Sequence, residues 1–236
     1  MAKRDLSIVT GASRGIGRGI ALRLAKENHD LMLIGRDKSA LTDVKKTVES
    51  FGVDSEIFIG DVSEQNFANE TIKKILDKYG KVDHLINNAG IGILKKFVDS
   101  NLDEFKKQID VNLFGVYNFT KAVINHMIEN RSGSIINISS LAGKNAFVGG
   151  TMYSATKHAL MGFTRSLMLE VREFNIRVAA ICPGSVDTEF NPNREIMPPK
   201  QNILLPEDVA ETVVLILKMP VRALVSEIDI RPTNPK

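Results

Sequence analysis

The chain has 236 residues, 43% of them hydrophobic and none of them Trp, so a sizeable core has to be built from Leu, Ile, Val, Ala and Phe. With 31 basic against 28 acidic residues the net charge is only +3, and there is no dense Lys/Arg run and no aromatic–basic interleaving, which argues against a nucleic-acid partner. The single cysteine rules out an intrachain disulfide, no apolar run reaches the roughly 18–20 residues of a membrane span, and the opening Met1-Ala2-Lys3-Arg4-Asp5 leaves no room for a signal peptide, so a cytoplasmic protein with no membrane partner is expected.

Short apolar runs alternate along the chain with segments of helical period. Leu6–Thr10 reads as a buried strand, followed by a glycine-rich turn and a helix over residues 16–26. Strands are expected next at 31–34, 56–59 and 82–86, with helices at 39–50 and 64–79 between them. Residues 103–129 form one long helical stretch with a functional irregularity expected near Asn112. Then come a strand at 134–138, a helix at 153–173, a strand at 177–181, the helix Pro206–Lys218 and the strand Glu227–Ile230. Runs without polar alternation are buried on both faces, and strands separated by helices require right-handed crossovers in a parallel sheet. The expected fold is one α/β domain over residues 1–236: a doubly wound, mostly seven-stranded parallel sheet of Rossmann type with helices on both faces. Residues 187–205, rich in Pro, Asn and charge, follow a strand's carboxyl end and read as a substrate lid or as a plain surface loop.

Thr10-Gly11-Ala12-Ser13-Arg14-Gly15-Ile16-Gly17 sits between the first strand and the first helix. Its glycines are spaced G-x-x-x-G-x-G. Such a turn lets backbone approach a pyrophosphate while the helix N-terminus offers free N–H groups. The second strand ends Gly35-Arg36-Asp37, where an acid would bind a ribose 2′-hydroxyl and an arginine a 2′-phosphate. Arg36, with Arg14 closing from the turn, favours NADP(H); Asp37 would contact ribose instead if it turned inward.

Tyr153-Ser154-Ala155-Thr156-Lys157 places a phenol and an ammonium one helical turn apart. The cation is expected to lower the phenol's pKa from about 10 and so fit it for proton exchange with an alkoxide. A serine at the strand end Ile138-Ser139-Ser140 would hold the substrate oxygen, Ser139 itself reading as a turn or cap residue. Asn112, unfavourable inside a helix, would hold a water beside Lys157. His29, His84, His126 and His158 are scattered without ligand spacing, so no metal is expected, and Cys182 reads as a small core residue.

Together these segments resemble the short-chain dehydrogenase/reductase family. Thr10 to Gly17, Asp61-Val62, Asn87-Asn88-Ala89-Gly90, Asn112, Ser140, Tyr153, Lys157 and Pro183-Gly184 stand in that family's order and approximate spacing, from Leu6 to the last strand. The resemblance implies a catalytic tetrad of Asn112, Ser140, Tyr153 and Lys157. It implies that Gly11, Ser13, Arg14, Ile16, Gly17 and Arg36 hold the cofactor. Asp61 and Val62 would lie near the adenine, Asn88, Ala89 and Gly90 would line the groove, and Pro183, Gly184, Val186 and Thr188 would bracket the nicotinamide. Lys157 would also bind the nicotinamide ribose.

Within the family the chain resembles the 3-oxoacyl-acyl-carrier-protein reductases, while its short ending after residue 226 looks more like sepiapterin-reductase-like and small hydroxy-acid dehydrogenase relatives. The expected activity is NADPH-dependent reduction of a ketone or aldehyde to an alcohol. The substrate would be a small carbonyl or alcohol, an acyl thioester among the options, and the assembly a homodimer or homotetramer joined through the helices at 103–129 and 153–173. An NADP-sensing binding protein without turnover is the alternative from another class; it would be expected to lack the tyrosine or the lysine, and both are present. On the substrate side Ile93, Leu94, Phe147 and Phe190 suggest an apolar component, and Lys95 and Arg194 would meet an anion.

Overall fold

The apolar runs become strands because both of their faces find helices to pack on. In β1 (Leu6–Thr10), Leu6 and Ile8 enter one apolar layer and Val9 the other. In β2 (Asp30–Gly35), Met32 and Ile34 join the first layer, Leu31 and Leu33 the second. The computed structural model describes residues 4–190 and 202–234. The chain continues through α1 (Gly15–Lys26), α2 (Lys38–Glu49), β3 (Ser55–Ile59), α3 (Gln65–Tyr79), β4 (His84–Asn87), α4 (Leu102–Ile109), α5 (Gly115–Asn130), β5 (Gly133–Ile138), α6 (Thr151–Val171), β6 (Ile176–Pro183), α7 (Pro206–Lys218) and β7 (Glu227–Ile230). Helices α3 and α5, with the end of α6, cover the first layer, and α1, α2 and α7 cover the second.

The seven strands form one sheet in the order β3-β2-β1-β4-β5-β6-β7, and every pairing is parallel. This is the doubly wound sheet expected from the sequence. The strand order reverses between β1 and β4, and that switch point opens a crevice at the strands' carboxyl ends.

Element ends fall within two residues of expectation, with one exception. The long helix at 103–129 is broken: α4 stops at Ile109, Asp110–Phe114 forms a π-helical turn, and α5 starts at Gly115. The irregularity expected near Asn112 is this turn. Its cause is tertiary, because the Asn112 amide clasps the backbone of Ile91, accepting from its N–H at 2.8 Å and donating to its carbonyl at 2.9 Å.

The sheet also gathers residues that the sequence scatters. His29 precedes β2, His84 opens β4 and Asp5 precedes β1, so neighbouring strands bring all three together at the amino ends, opposite the crevice. One ligand atom from each lies within 4.8 Å of the others. The imidazole centroids are 5.4 Å apart, and His29 Nδ1 lies 2.8 Å from Ser7 Oγ. Two of the histidines read as scattered therefore meet, since ligand spacing was sought along the chain and this proximity runs across the sheet. His126 instead accepts from the Val82 N–H at 3.3 Å, and the His158 ring donates to the Ser154 carbonyl at 2.9 Å. Among the described residues no helix is long and apolar enough to cross a membrane.

Candidate active site

The glycine turn is shaped by what its residues lack. Gly11 has φ +65°, a left-handed conformation, and a Cβ on it would lie 2.9 Å from the Ala89 Cα. Gly17, in the first turn of α1, sits over the Gly11 peptide: a Cβ there would come 2.8 Å from the Gly11 carbonyl carbon, closer still to its oxygen, and 2.5 Å from Asn88 Nδ2. The turn can therefore fold back tightly enough to aim the N-terminus of α1, which carries no acid in its first turn, into the crevice.

Thr10 locks this arrangement, a role missed from sequence. Its Oγ1 accepts from the N–H groups of Asn88 at 2.9 Å and Ala89 at 3.0 Å. Asn88 Nδ2 answers by donating to the carbonyls of Thr10 at 3.0 Å and Gly11 at 3.2 Å. The only signal in the sequence was a hydroxyl at a strand end next to the glycines. A second missed network lies deeper. Asn87 donates to Asn137 Oδ1 at 2.9 Å and Thr120 Oγ1 at 3.2 Å, and Asn137 donates to Thr164 Oγ1 at 2.8 Å, tying β4, β5, α5 and α6 together behind the site.

At the end of β2, Arg36 is 64% exposed and its guanidinium lies 3.6 Å from Asp61 Oδ2. Asp37 borders the cleft. It is the N-cap of α2, its carboxylate accepting from the Ala40 N–H at 3.0 Å. Asp61 accepts from both the N–H and the hydroxyl of Ser63, at 3.0 and 2.8 Å. Burial works to raise its pKa, but these two bonds, helped by Arg36 and Lys107, outweigh it and hold the carboxyl below its usual value.

At the other end Tyr153 and Lys157 stand on the first two turns of α6, both buried. Lys157 Nζ donates to the Ile138 carbonyl at 3.0 Å and lies 5.8 Å from the Tyr153 ring centroid. Burial lowers its pKa to about 8. Burial likewise pushes the Tyr153 phenol up to about 12, against which a hydrogen bond with Ser140 pulls the other way. The expectation of an acidified phenol is thus corrected: desolvation dominates, and the ammonium is directed at a carbonyl of β5. Ser140 is also the N-cap of the short 3-10 turn Leu141–Gly143, accepting from the Ala142 N–H at 3.1 Å, whereas the buried Ser139 hydroxyl has no partner among the described residues. The capping role expected of Ser139 belongs to Ser140. The Asn112 amide, besides clasping Ile91, donates to Thr156 Oγ1 at 3.1 Å, so both of its N–H bonds go to protein and only the second lone pair of Oδ1 is left for the water it was expected to hold.

After β6 the Gly184 N–H donates to the Ile230 carbonyl at 2.8 Å, and Val186 bridges to Leu204. The Thr188 methyl lies 3.2 Å from where a Gly15 Cβ would be, against the start of α1. Phe190 tilts onto Tyr153, ring centroids 5.8 Å apart. Of the segment 187–205, residues 191–201 lie outside the described residues, Arg194 among them; its described ends are joined by the bonds from Asp187 N to Leu204 O and from Leu204 N to Ser185 O. Cys182 is a core residue, as expected. Lys95 does not reach the cleft as an anion site; it pairs with Glu104 at 2.6 Å.

A cleft of about 1100 Å³ joins the two ends. Its wall contains Gly11, Ser13, Arg14, Ile16, Arg36, Asp61, Val62, Asn88, Ala89, Gly90, Ser140, Tyr153, Lys157, Pro183, Gly184, Val186 and Thr188, while Gly17 and Asn112 lie behind it. That volume exceeds the usual range for one small ligand, roughly 300–1,000 Å³, and suits a dinucleotide with a second molecule beside it.

Comparison with known proteins agrees with this geometry. The chain is 34% identical over 228 residues to an uncharacterized oxidoreductase of Staphylococcus saprophyticus, covering 96% of this chain and 97% of that one. It superposes with TM-score 0.91 and 31% identity on an alcohol dehydrogenase from the archaeon Thermococcus sibiricus complexed with 5-hydroxy-NADP, covering 98% and 97% of the two chains. A metagenomic short-chain oxidoreductase in complex with NADP matches with TM-score 0.86 and 32% identity over 97% of each chain. The family model for short chain dehydrogenases matches residues 6–198, and the chain belongs to that family.

Proposed function

We propose that this protein reduces a ketone or aldehyde to the alcohol with NADPH, in the half of the cleft that Tyr153 and Phe190 line. The observation that carries this reading is the convergence of a buried phenol, the Ser140 hydroxyl and a buried ammonium at one end of a dinucleotide-sized cleft. The glycine turn, the N-terminus of α1, Arg14 and Arg36 suit a pyrophosphate and a 2′-phosphate. The cofactor, when bound, supplies the hydride. Tyr153 would give its proton to the carbonyl oxygen as negative charge develops there, so that the alcohol leaves neutral. Ser140 donates to the developing oxyanion. A phenol held near 12 stays protonated until that oxyanion forms, which is what a general acid requires. Lys157, 5.8 Å from the ring centroid, would favour the phenolate as the proton leaves and would bind the nicotinamide ribose. Asn112 acts as a positioning residue, fixing Ile91 beside Gly90. The acyl-carrier, pterin and hydroxy-acid versions of this reading share the chemistry and differ in the substrate half of the cleft. Exposed Phe114, Tyr117 of α5 and Leu169 of α6 support a subunit contact through these helices.

NADPH oxidation followed across a panel of ketones and aldehydes tests the reading; NADPH binding with no oxidation by any member overturns it in favour of a sensing protein. Two further outcomes are expected. Arg36→Ala raises the Kd for NADPH by about 10–100-fold, the value of one or two charge-assisted bonds, and leaves that for NADH nearly unchanged; equal loss of both would remove Arg36 from the phosphate site. The kcat/KM for reduction falls as pH rises through about 8, because Lys157 is charged below that value and neutral above it. In Lys157→Arg the residual activity loses this limb, as guanidinium stays charged throughout.

A further inference from the structure

On the substrate side the cleft presents an apolar wall that the described protein leaves uncovered. Leu94, Phe147 and Phe190 line it and are 36%, 45% and 40% exposed. Large apolar side chains gathered inside a concavity mark a binding surface rather than scattered surface hydrophobics. Two glycines build the wall. A Cβ on Gly92 would lie 2.5 Å from the Phe190 ring, and one on Gly150 would lie 2.5 Å from Cζ of Phe147. Each ring therefore rests against backbone, in space that any other residue would fill. Phe190 also packs on Tyr153, so the apolar wall begins beside the phenol.

The charges around this wall are engaged. Among the described residues, the cations lining the cleft are Arg14, Arg36, Lys157 and Arg231. The first two belong to the dinucleotide end, Lys157 donates to the Ile138 carbonyl, and Arg231 pairs with Asp229 at 3.4 Å. Lys144, close by, is held by Asp229 at 2.7 Å and Glu227 at 2.9 Å. The acid Glu189 is part of the same wall. A carboxylate or phosphate next to the reacting carbonyl would leave water for an apolar surface where the cations among the described residues are already engaged, which is costly.

We propose that the substrate is an uncharged ketone or aldehyde with a bulky apolar group next to the carbonyl, seated against Phe147 and Phe190, rather than an anionic keto acid or a carrier-bound acyl thioester. The inference rests on the reductase reading above and narrows its substrate. It is tested with ethyl benzoylformate, benzoylformate, ethyl pyruvate and acetoacetyl-coenzyme A. The expected kcat/KM for ethyl benzoylformate exceeds that for the benzoylformate anion and for acetoacetyl-coenzyme A by about a hundredfold, and that for ethyl pyruvate by about tenfold. Phe147→Ala and Phe190→Ala raise KM for ethyl benzoylformate about tenfold and remove most of its kcat/KM advantage over ethyl pyruvate, while the Kd for NADPH stays unchanged.

Calorimetry of the same probes on the NADP+-loaded enzyme is expected to rank their Kd values in the same order. Equal or better use of either anion, or a phenyl preference that survives both truncations, overturns the proposal and leaves the reductase reading standing. The expected order of binding without NADPH oxidation supports the pocket assignment and overturns the reductase reading. Failure of every probe both to bind and to react overturns the proposal.

Discussion

Tyr153→Phe is expected to lower kcat for ketone reduction about a thousandfold at saturating NADPH while leaving the Kd for NADPH within about twofold. The substitution removes one oxygen. The ring that remains is buried, still packs against Phe190 and still lies over the Lys157 ammonium, so the shape of the site is retained. What is lost is the group proposed to protonate the carbonyl oxygen. Water does not replace it easily in a site where burial, against the opposing effect of Ser140, raises a phenol to about 12. Ser140 keeps its bond from the Ala142 N–H, so the 3-10 turn beside the site is undisturbed and thermal stability is expected to stay close to that of the parent. Stopped-flow measurement of NADPH oxidation separates the chemical step from binding. A variant that binds NADPH and turns over at the parent rate would remove Tyr153 from the mechanism.

Gly17→Ala should abolish cofactor binding by a different route, raising the Kd for NADPH at least about a hundredfold. The added methyl has no free space: it meets the Gly11 peptide and, at 2.5 Å, Asn88 Nδ2. Backbone cannot give way like a flexible side chain. Either Gly11 moves, opening the turn that aims the α1 N-terminus at the pyrophosphate, or Asn88 leaves the carbonyls of Thr10 and Gly11. Overpacking of this kind also costs about 1–3 kcal/mol of stability, read as a lower Tm. Fluorescence titration with NADPH, alongside thermal unfolding of the apoprotein, distinguishes the two effects. Parent-like affinity in the variant would show that the turn is not the pyrophosphate seat.

Local pattern carries far in this chain. Buried runs of five or six residues alternating with amphipathic helices already imply a parallel sheet between helices, since strands without polar alternation need cover on both faces. Strand–turn–helix order made the glycine turn legible, and the four-residue step from Tyr153 to Lys157 put them on one helix face because that is a property of helices. Arg36 at the end of β2 was readable for the same reason: its position follows from strand length and register.

What escaped was settled by contacts between distant segments. Thr10 matters through Asn88 and Ala89, Asn112 through Ile91, and the Asp5, His29 and His84 cluster through the adjacency of β1, β2 and β4. Two of the sequence expectations about side-chain roles changed once such neighbours were present. Asp37, a possible ribose ligand by position, is held as the cap of α2. Lys157, expected to acidify the phenol, is tied to a carbonyl of β5.

The amino-acid order by itself determined the elements, their succession, the sheet type and which residues reach the carboxyl ends of the strands, because those depend on periodicity and chain direction. Tertiary structure alone decided the protonation behaviour of Tyr153 and Lys157, the seating of Phe147 and Phe190 on Gly150 and Gly92, and the pairing of the nearby cations. Desolvation and steric room are set by atoms from β5, α6 and the segments after β4 and β6 converging on one volume, and no spacing along the chain encodes that convergence.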